Sequence, residues 1–155
     1  MAASLAGRTI LVRADLENGL TDDIGPAIAD LAKTGARIAV IAGYGNPQGD
    51  INPAYSLRRF VKPLEEATGK PVLFVSGSVG LQAEAGLYKT PDGSIVLLEN
   101  LRFHPDERRN SRSFAMRLSV LGDYFTVTGR LPNRPLGWIA ELAAILPSPA
   151  NATPN

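Results

Sequence analysis

Residues 94–107, SIVLLENLRFHPDE, contain a short apolar run that stops abruptly at Glu99. A run of this kind, without polar alternation, is typical of a strand buried on both faces of a parallel sheet. Asn100 and Arg102 follow at once, so an arginine stands just past the carboxyl end of a predicted strand. Two interpretations of Arg102 are open. It either holds an anion at the strand end or serves as a structural ion-pair partner.

Four further runs have the same character: TILVRA (9–14), RIAVIA (37–42), PVLFV (71–75) and YFTVT (124–128). Segments with helical spacing lie between them. In one of these, positions 57, 60, 61 and 64 are apolar and Ser56 is the predicted N-cap. Similar stripes occupy 24–31, 114–121 and 138–145, and helix ends are predicted at Gly35, Gly69 and Gly122. The alternation predicts βαβ units, and therefore an α/β fold with a mainly parallel sheet.

Composition narrows the class of protein. The chain has 155 residues, 45% of them hydrophobic, and a formal net charge of +1. These values indicate one globular domain without the strong field that attracts nucleic acid or an anionic membrane. The lack of cysteine excludes disulfides and thiolate metal sites. No apolar run approaches the roughly 20 residues that span a bilayer, and MAASLAGRT (1–9) has no secretory pattern. We therefore expect a cytoplasmic protein.

The C-terminal part of the chain changes composition. PLGWIAELAAIL (135–146) is strongly apolar, more so than one helix lying on a sheet can bury. We expect it either to pack back over the domain or to form a protein interface, with a homo-oligomer as the simplest case. Proline, alanine and asparagine dominate the following residues. We therefore predict one domain over 1–146 and a flexible tail over 147–155.

Open α/β sheets bind ligands outside the carboxyl ends of their strands, and this rule selects the candidate site residues. In chain order the five predicted strand ends offer Asp15 and Glu17, then Gly43, Gly45 and Gly49, then Ser76 and Ser78, then Asn100, Arg102 and His104, and finally Arg130, Asn133 and Arg134. The glycine loop lacks the lysine and hydroxyl of a nucleotide-binding P-loop, which favours a plain turn. The two serines have no marked base and are interpreted as helix-capping residues.

Other candidates also have structural explanations. Asp15 is interpreted as an ion-pair or turn-forming residue rather than a catalyst. His104 is the single histidine, so a two-histidine metal site is excluded, and we expect it to be solvated in a loop. The mixed-charge stretch DERRNSRS (106–113) predicts a solvated face.

Several motifs resemble the N-terminal domain of phosphoglycerate kinase. They are RTILVRADLENG (8–19), AGYGNPQGDINPAYSLRRFVKPLEEATGKPVLFV (42–75) and VLLENLRFHPDE (96–107), and the similarity runs from about Arg8 to about Leu146. The resemblance implies a three-layer, Rossmann-like domain with helices flanking the sheet. It also implies a 3-phosphoglycerate site built from cationic side chains at the strand ends. In the family, ATP or ADP with magnesium binds a separate C-terminal domain.

The chain departs from the family pattern at most of the substrate cations. The family's Asp-Phe-Asn loop is here Asp15-Leu16-Glu17, and no arginine occurs between Arg13 and Arg37. Its Ser-His-Leu-Gly-Arg-Pro motif becomes AGYGNP (42–47), without histidine or arginine. Later family motifs are not recognisable in TVTGRLPNRPLG (126–137), where Arg130 or Arg134 is a possible substitute for a lost arginine.

These departures predict a degenerate and truncated single-domain relative that is catalytically inactive, a pseudoenzyme serving as an interaction or regulatory module. The expected vestigial substrate residues are Asp15, Asn100 and Arg102, with Arg130 or Arg134. We expect no bound cofactor or metal, weak or no 3-phosphoglycerate binding, and a protein partner or homo-oligomer. The alternative is a phosphoglycerate kinase component, or a 3-phosphoglycerate-binding module, in glycolysis or gluconeogenesis. In either case Asp15 and Glu17 are expected to face Arg102.

Overall fold

Five parallel strands form the centre of the protein. The structure, a computed structural model, describes residues 4–128 and 137–151. The strands are β1 (Thr9–Ala14), β2 (Arg37–Ile41), β3 (Val72–Val75), β4 (Ile95–Leu98) and β5 (Tyr124–Thr128). Their order across the sheet is β3-β4-β2-β1-β5, and every pair is parallel. The five predicted strands and the parallel sheet are therefore confirmed.

Burial explains why these runs are strands. All six residues of β1 and all four of β4 are buried, because both faces of the sheet are covered. β1 lies between β2 and β5, with Leu11 opposite Ala39 on one side and Phe125 on the other. The carboxyl ends of the strands therefore meet at one edge of the sheet.

The described residues contain six helices: α1 (Ile24–Ala32), α2 (Val61–Thr68), α3 (Leu81–Tyr88), α4 (Asp106–Arg109), α5 (Ser111–Ser119) and α6 (Gly137–Ile145). One apolar core joins α1 and α2 to the face of the sheet that includes Ile10 and Val12. A second core joins α3, α5 and α6 to the opposite face, which includes Leu11. The three-layer, Rossmann-like architecture is confirmed.

The predicted helix ends are partly right. Ser56 caps a 3₁₀ turn, Leu57–Phe60, that leads into α2, and its hydroxyl accepts a hydrogen bond from Arg58 N. Gly69 ends α2 in the left-handed conformation, with a φ of 71°. Gly122 is not a left-handed cap. A Cβ there would lie 2.8 Å from Leu11 Cγ, so this glycine permits close packing against β1.

The apolar C-terminal segment packs back onto the domain. Trp138, Ile139 and Leu142 are buried in the second core, and the Trp138 ring meets Phe114 of α5 edge-on at 6.3 Å. Leu136 lies outside the described residues. Just beyond α6, the Pro147 carbonyl accepts a hydrogen bond of 3.0 Å from Phe125 N at the outer edge of β5. Within the described ranges, no helix is long and apolar enough to cross a membrane.

Candidate functional site

The ends of β1 and β4 are joined by an ion pair between Arg102 and Glu17. Arg102 Nη1 donates to Glu17 Oε1 at 2.9 Å and to Oε2 at 3.1 Å. Glu17 Oε2 also accepts a hydrogen bond of 3.1 Å from Gly45 N, in the loop after β2. The Glu17 carboxylate therefore links the ends of β1, β2 and β4. The prediction that Glu17 faces Arg102 is confirmed.

Arg102 is fixed by packing as well as by charge. Its Nη1 also donates to Gly45 O at 2.9 Å, and its side chain is 17% exposed. A Cβ at Gly43 would lie 2.8 Å from Arg102 Nε, so the side chain packs directly against the glycine loop. Arg102 Nε is buried and has no hydrogen-bond partner among the described residues. Gly43 thus makes room for the Arg102 side chain.

Asp15 shapes the turn that presents Glu17. Its Oδ1 accepts a hydrogen bond of 3.2 Å from Glu17 N. This places Asp15 where sequence analysis put it, at the end of β1, in a turn-forming role. The structure therefore brings Asp15, Glu17 and Arg102 together at one edge of the sheet.

Asn100 is completely buried, and its amide bonds only to the protein itself. Nδ2 donates to Tyr44 O at 2.7 Å and to Tyr55 O at 2.9 Å. Oδ1 accepts from Tyr44 N at 3.1 Å and from Arg102 N at 3.0 Å. Two donors and two acceptor sites are the whole capacity of an amide side chain. Asn100 therefore fixes the loop after β2 against the loop after β4.

Glu99 is a site residue that sequence reasoning missed. Its carboxylate accepts hydrogen bonds from Ser56 Oγ at 2.7 Å, Leu57 N at 2.8 Å and Asn100 N at 2.9 Å. These contacts attach the start of the 3₁₀ turn before α2 to the end of β4. The available signal was the acid itself, which follows directly after a buried apolar run.

Charges at this edge balance one another. Arg13 is 9% exposed, and burial lowers its pKa, an effect that the nearby Asp15 carboxylate opposes and the Arg102 charge reinforces. Two arginines therefore share the strand ends with two carboxylates, Asp15 and Glu17. With no excess positive charge in this group, the local field for attracting an anion is weak.

A cleft of about 330 Å³ opens beside the ion pair. Its walls are the loop at 46–49 and residues of the segment 102–109, including Arg108 and Arg109. Gln48 in this loop has a φ of 59°, a left-handed conformation unusual for a residue other than glycine. No group of three or more metal-binding side chains occurs in the described part of the chain.

The prediction that His104 lies solvated in a loop is right about the loop and only partly right about the solvation. Its side chain is 27% exposed and lies against Phe114, with ring centroids 5.5 Å apart. Arg117 Nη1 lies 2.7 Å from His104 Nε2. Burial and the Arg117 charge lower the pKa of His104, against a smaller opposing effect of Asp106.

The prediction that 106–113 is a solvated face is wrong at Glu107. This residue is 3% exposed, and its Oε2 accepts a hydrogen bond of 2.8 Å from Trp138 Nε1. The indole N–H of α6 thus satisfies a carboxylate on α4. Pairing across about 30 positions of sequence cannot be inferred from a local charge pattern.

The serines after β3 are not helix caps. Gly80 occupies the N-cap position of α3, without a side-chain hydrogen bond. Ser76 instead accepts a hydrogen bond of 2.8 Å from Gln82 Nε2. The candidates after β5, Arg130, Asn133 and Arg134, lie outside the described residues.

Comparisons with known proteins agree on one family. The model of the phosphoglycerate kinase family matches residues 2–128. The phosphoglycerate kinase of Rhodospirillum centenum is 38% identical over 132 residues, covering 79% of this chain and 33% of that protein. The enzyme of Leifsonia xyli subsp. xyli is 37% identical over 164 residues, covering 96% of this chain and 41% of that protein. The chain therefore spans well under half the length of these relatives.

Solved structures show the same fold. The phosphoglycerate kinase of Pyrococcus horikoshii OT3 superposes with a TM-score of 0.76 at 20% identity, covering 96% of this chain and 40% of that one. The Coxiella burnetii structure gives a TM-score of 0.70, covering 94% and 38% respectively. Because the family model matches most of its length, this chain belongs to the phosphoglycerate kinase family.

Proposed function

We propose that this chain is a non-catalytic member of the phosphoglycerate kinase family, whose strand-end site no longer binds 3-phosphoglycerate usefully. The observation that supports the proposal is the Glu17 carboxylate, which accepts hydrogen bonds from Arg102 Nη1 and Gly45 N. A guanidinium and a backbone N–H are the groups that an anionic ligand would use. Glu17 occupies them from within the chain.

Displacing Glu17 would not leave an effective phosphate site. An incoming anion would meet Asp15 and the released Glu17 carboxylate, and like charges at short range repel. Asn100 offers no free hydrogen bond, because its amide is fully used by Tyr44, Tyr55 and Arg102. Phosphoryl transfer depends on positioning and charge neutralisation by several cations and metal ions. Among the described strand-end residues, Arg102 is 17% exposed and is already paired with the Glu17 carboxylate.

Two assays test this proposal. In a coupled assay, we expect the 155-residue chain to form no ATP from 1,3-bisphosphoglycerate and ADP. In thermal unfolding, we expect 3-phosphoglycerate at about 0.1 mM to leave the melting temperature unchanged, because ligand well below its dissociation constant does not stabilise the fold measurably. Turnover that survives re-purification would contradict the first expectation. A ligand-dependent rise in melting temperature that disappears in Arg102→Ala would contradict the second.

A second candidate function is a phosphoglycerate kinase component, or a 3-phosphoglycerate-binding module, acting in glycolysis or gluconeogenesis. It is favoured by the presence of Asp15, Asn100 and Arg102 at one sheet edge, beside a cleft that also holds Arg108 and Arg109. Nucleotide and magnesium would then bind a separate segment or chain. ATP synthesis that requires both this chain and an added nucleotide-binding domain would establish this alternative.

A further inference from the structure

Exposed apolar side chains are concentrated on one face of the molecule. Among the described residues, seven large hydrophobic side chains are exposed. Four of them belong to α3, to α5 or to the residue that ends α5, and they are between 56% and 88% exposed: Leu81, Tyr88, Met116 and Val120. Clustering of this kind on a globular protein commonly marks an interface.

These side chains flank a groove between α3 and α5. A cavity of about 430 Å³ is lined by Glu84, Met116, Arg117 and Val120, among others. A second, of about 250 Å³, is lined by Glu84, Leu87, Tyr88 and Val120. The two cavities share Glu84 and Val120 and therefore lie side by side along the helices; together they are referred to here as the α3–α5 groove.

The groove is formed by helix faces that the core does not use. On α3, Ala83 and Leu87 are buried in the second core, while Leu81 and Tyr88 are exposed and share a face with Glu84 by helical spacing. On α5, Phe114 and Leu118 enter the core, whereas Met116 is followed four positions later by Val120 on an outer face. Each helix therefore has a second apolar stripe.

The two walls of the groove carry opposite charges. Glu84 on α3 is exposed and accepts no side-chain hydrogen bond or ion pair from the described residues. Arg117 on α5 contacts His104 through Nη1, which also lies 4.0 Å from Asp106 Oδ2, while its Nη2 would lie 3.3 Å from a Cβ added at Gly80, at the start of α3. If two copies meet about a two-fold axis that runs along the groove, α3 of each copy faces α5 of the other, with Glu84 of one copy on the side of Arg117 of the other. In that arrangement the charges of the two walls are complementary.

We propose that the α3–α5 groove is the interface of a homodimer. The partner is a second copy of this chain, with the apolar stripe of each α3 packed against Met116 and Val120 of the other copy. An 8-residue helix is about 12 Å long, so the patch covers several hundred Å². That is below the roughly 800 Å² per partner of a standard interface and in the range of weak, transient contacts. We therefore expect dimers only at high protein concentration.

Analytical ultracentrifugation from about 10 μM to 1 mM tests the proposal. Wild type should shift from monomer to dimer across this range. Val120→Glu should stay monomeric with an unchanged melting temperature, since its side chain is 65% exposed. Ile51→Glu is the matched control, because Ile51 is 82% exposed and lies outside the groove. This variant should dimerise like wild type. A wild-type monomer at 1 mM, or equal weakening by both variants, would overturn the interface.

Charge reversal tests the pairing of the two walls. Glu84→Arg and Arg117→Glu should each weaken self-association at least tenfold. An equimolar mixture of the two variants should recover dimers, because the mixed pair restores both opposite-charge contacts. Melting temperatures confirm that each variant is folded, since Arg117 also contacts His104. Folded variants whose mixture stays monomeric would contradict the proposed two-fold arrangement.

Discussion

At the scale of single residues, the strand-end site is built from side chains that satisfy one another. Asn100 is the clearest case, since its buried amide forms four hydrogen bonds to the backbone. Asn100→Ala should lower the free energy of unfolding by about 3–5 kcal/mol, because several buried backbone groups lose their partner. Asn52→Ala, which removes one exposed cap bond to Ala54 N, should cost about 1 kcal/mol. Urea unfolding measures both, and equal losses would refute the structural role of Asn100.

His104 should make stability depend on pH. Its pKa in the folded protein is lowered from 6.5, so folding favours the neutral ring. The stabilisation is complete above pH 6.5 and is lost as pH falls through the folded pKa. Between pH 7.5 and 5.5 the melting temperature of wild type should fall more than that of His104→Gln, which keeps an acceptor for Arg117. Parallel slopes for the two proteins would show that His104 is not the responsible group.

At the scale of secondary-structure elements, α6 is held to α4 by one buried polar contact. Trp138→Phe keeps most of the apolar packing against Phe114 but leaves the Glu107 carboxylate without its indole donor. The free energy of unfolding should fall by about 1–3 kcal/mol. Circular dichroism is the required probe, since Trp138 is the single tryptophan. In Trp138→Phe/Glu107→Leu most of the loss should return. If the free energy of unfolding lost in the double variant equals the sum of the losses in the two single variants, this explanation is contradicted.

The positions of the strands could be predicted from the sequence, whereas the burial of some loop and helix side chains could not. The strands were predicted because continuous apolar runs such as 9–14 and 95–98 have one favourable environment, a sheet covered on both faces. Glu107 was misplaced, and His104 is less exposed than expected, because their contacts come from α6 and α5, which meet them only in three dimensions. Long-range partners leave no periodic signal in the local sequence.

At the scale of the whole molecule, the chain belongs to the phosphoglycerate kinase family. The fold follows the phosphoglycerate kinase family over nearly the whole chain, with a TM-score of 0.76 to one solved member. The candidate residues Asp15, Asn100 and Arg102 form a turn, a loop contact and an ion pair at the strand ends. Asp15 and Glu17 were expected to face Arg102 because they too follow a strand end, and Glu17 does so in the structure. The sequence could not predict that the Asn100 amide uses all of its hydrogen-bonding capacity, because its partners Tyr44 and Tyr55 are distant in sequence.

The proposed role of Glu17 is to keep Arg102 from binding 3-phosphoglycerate, by holding its guanidinium in an ion pair. Calorimetric titration of 3-phosphoglycerate into wild type and Glu17→Asn tests it most directly. Wild type should bind no tighter than about 1 mM, or about −4 kcal/mol. Glu17→Asn should bind about fivefold tighter, because release of a partly exposed ion pair is worth up to about 1 kcal/mol. Wild-type binding well below 0.1 mM that Arg102→Ala abolishes, or no gain in Glu17→Asn, would contradict the account.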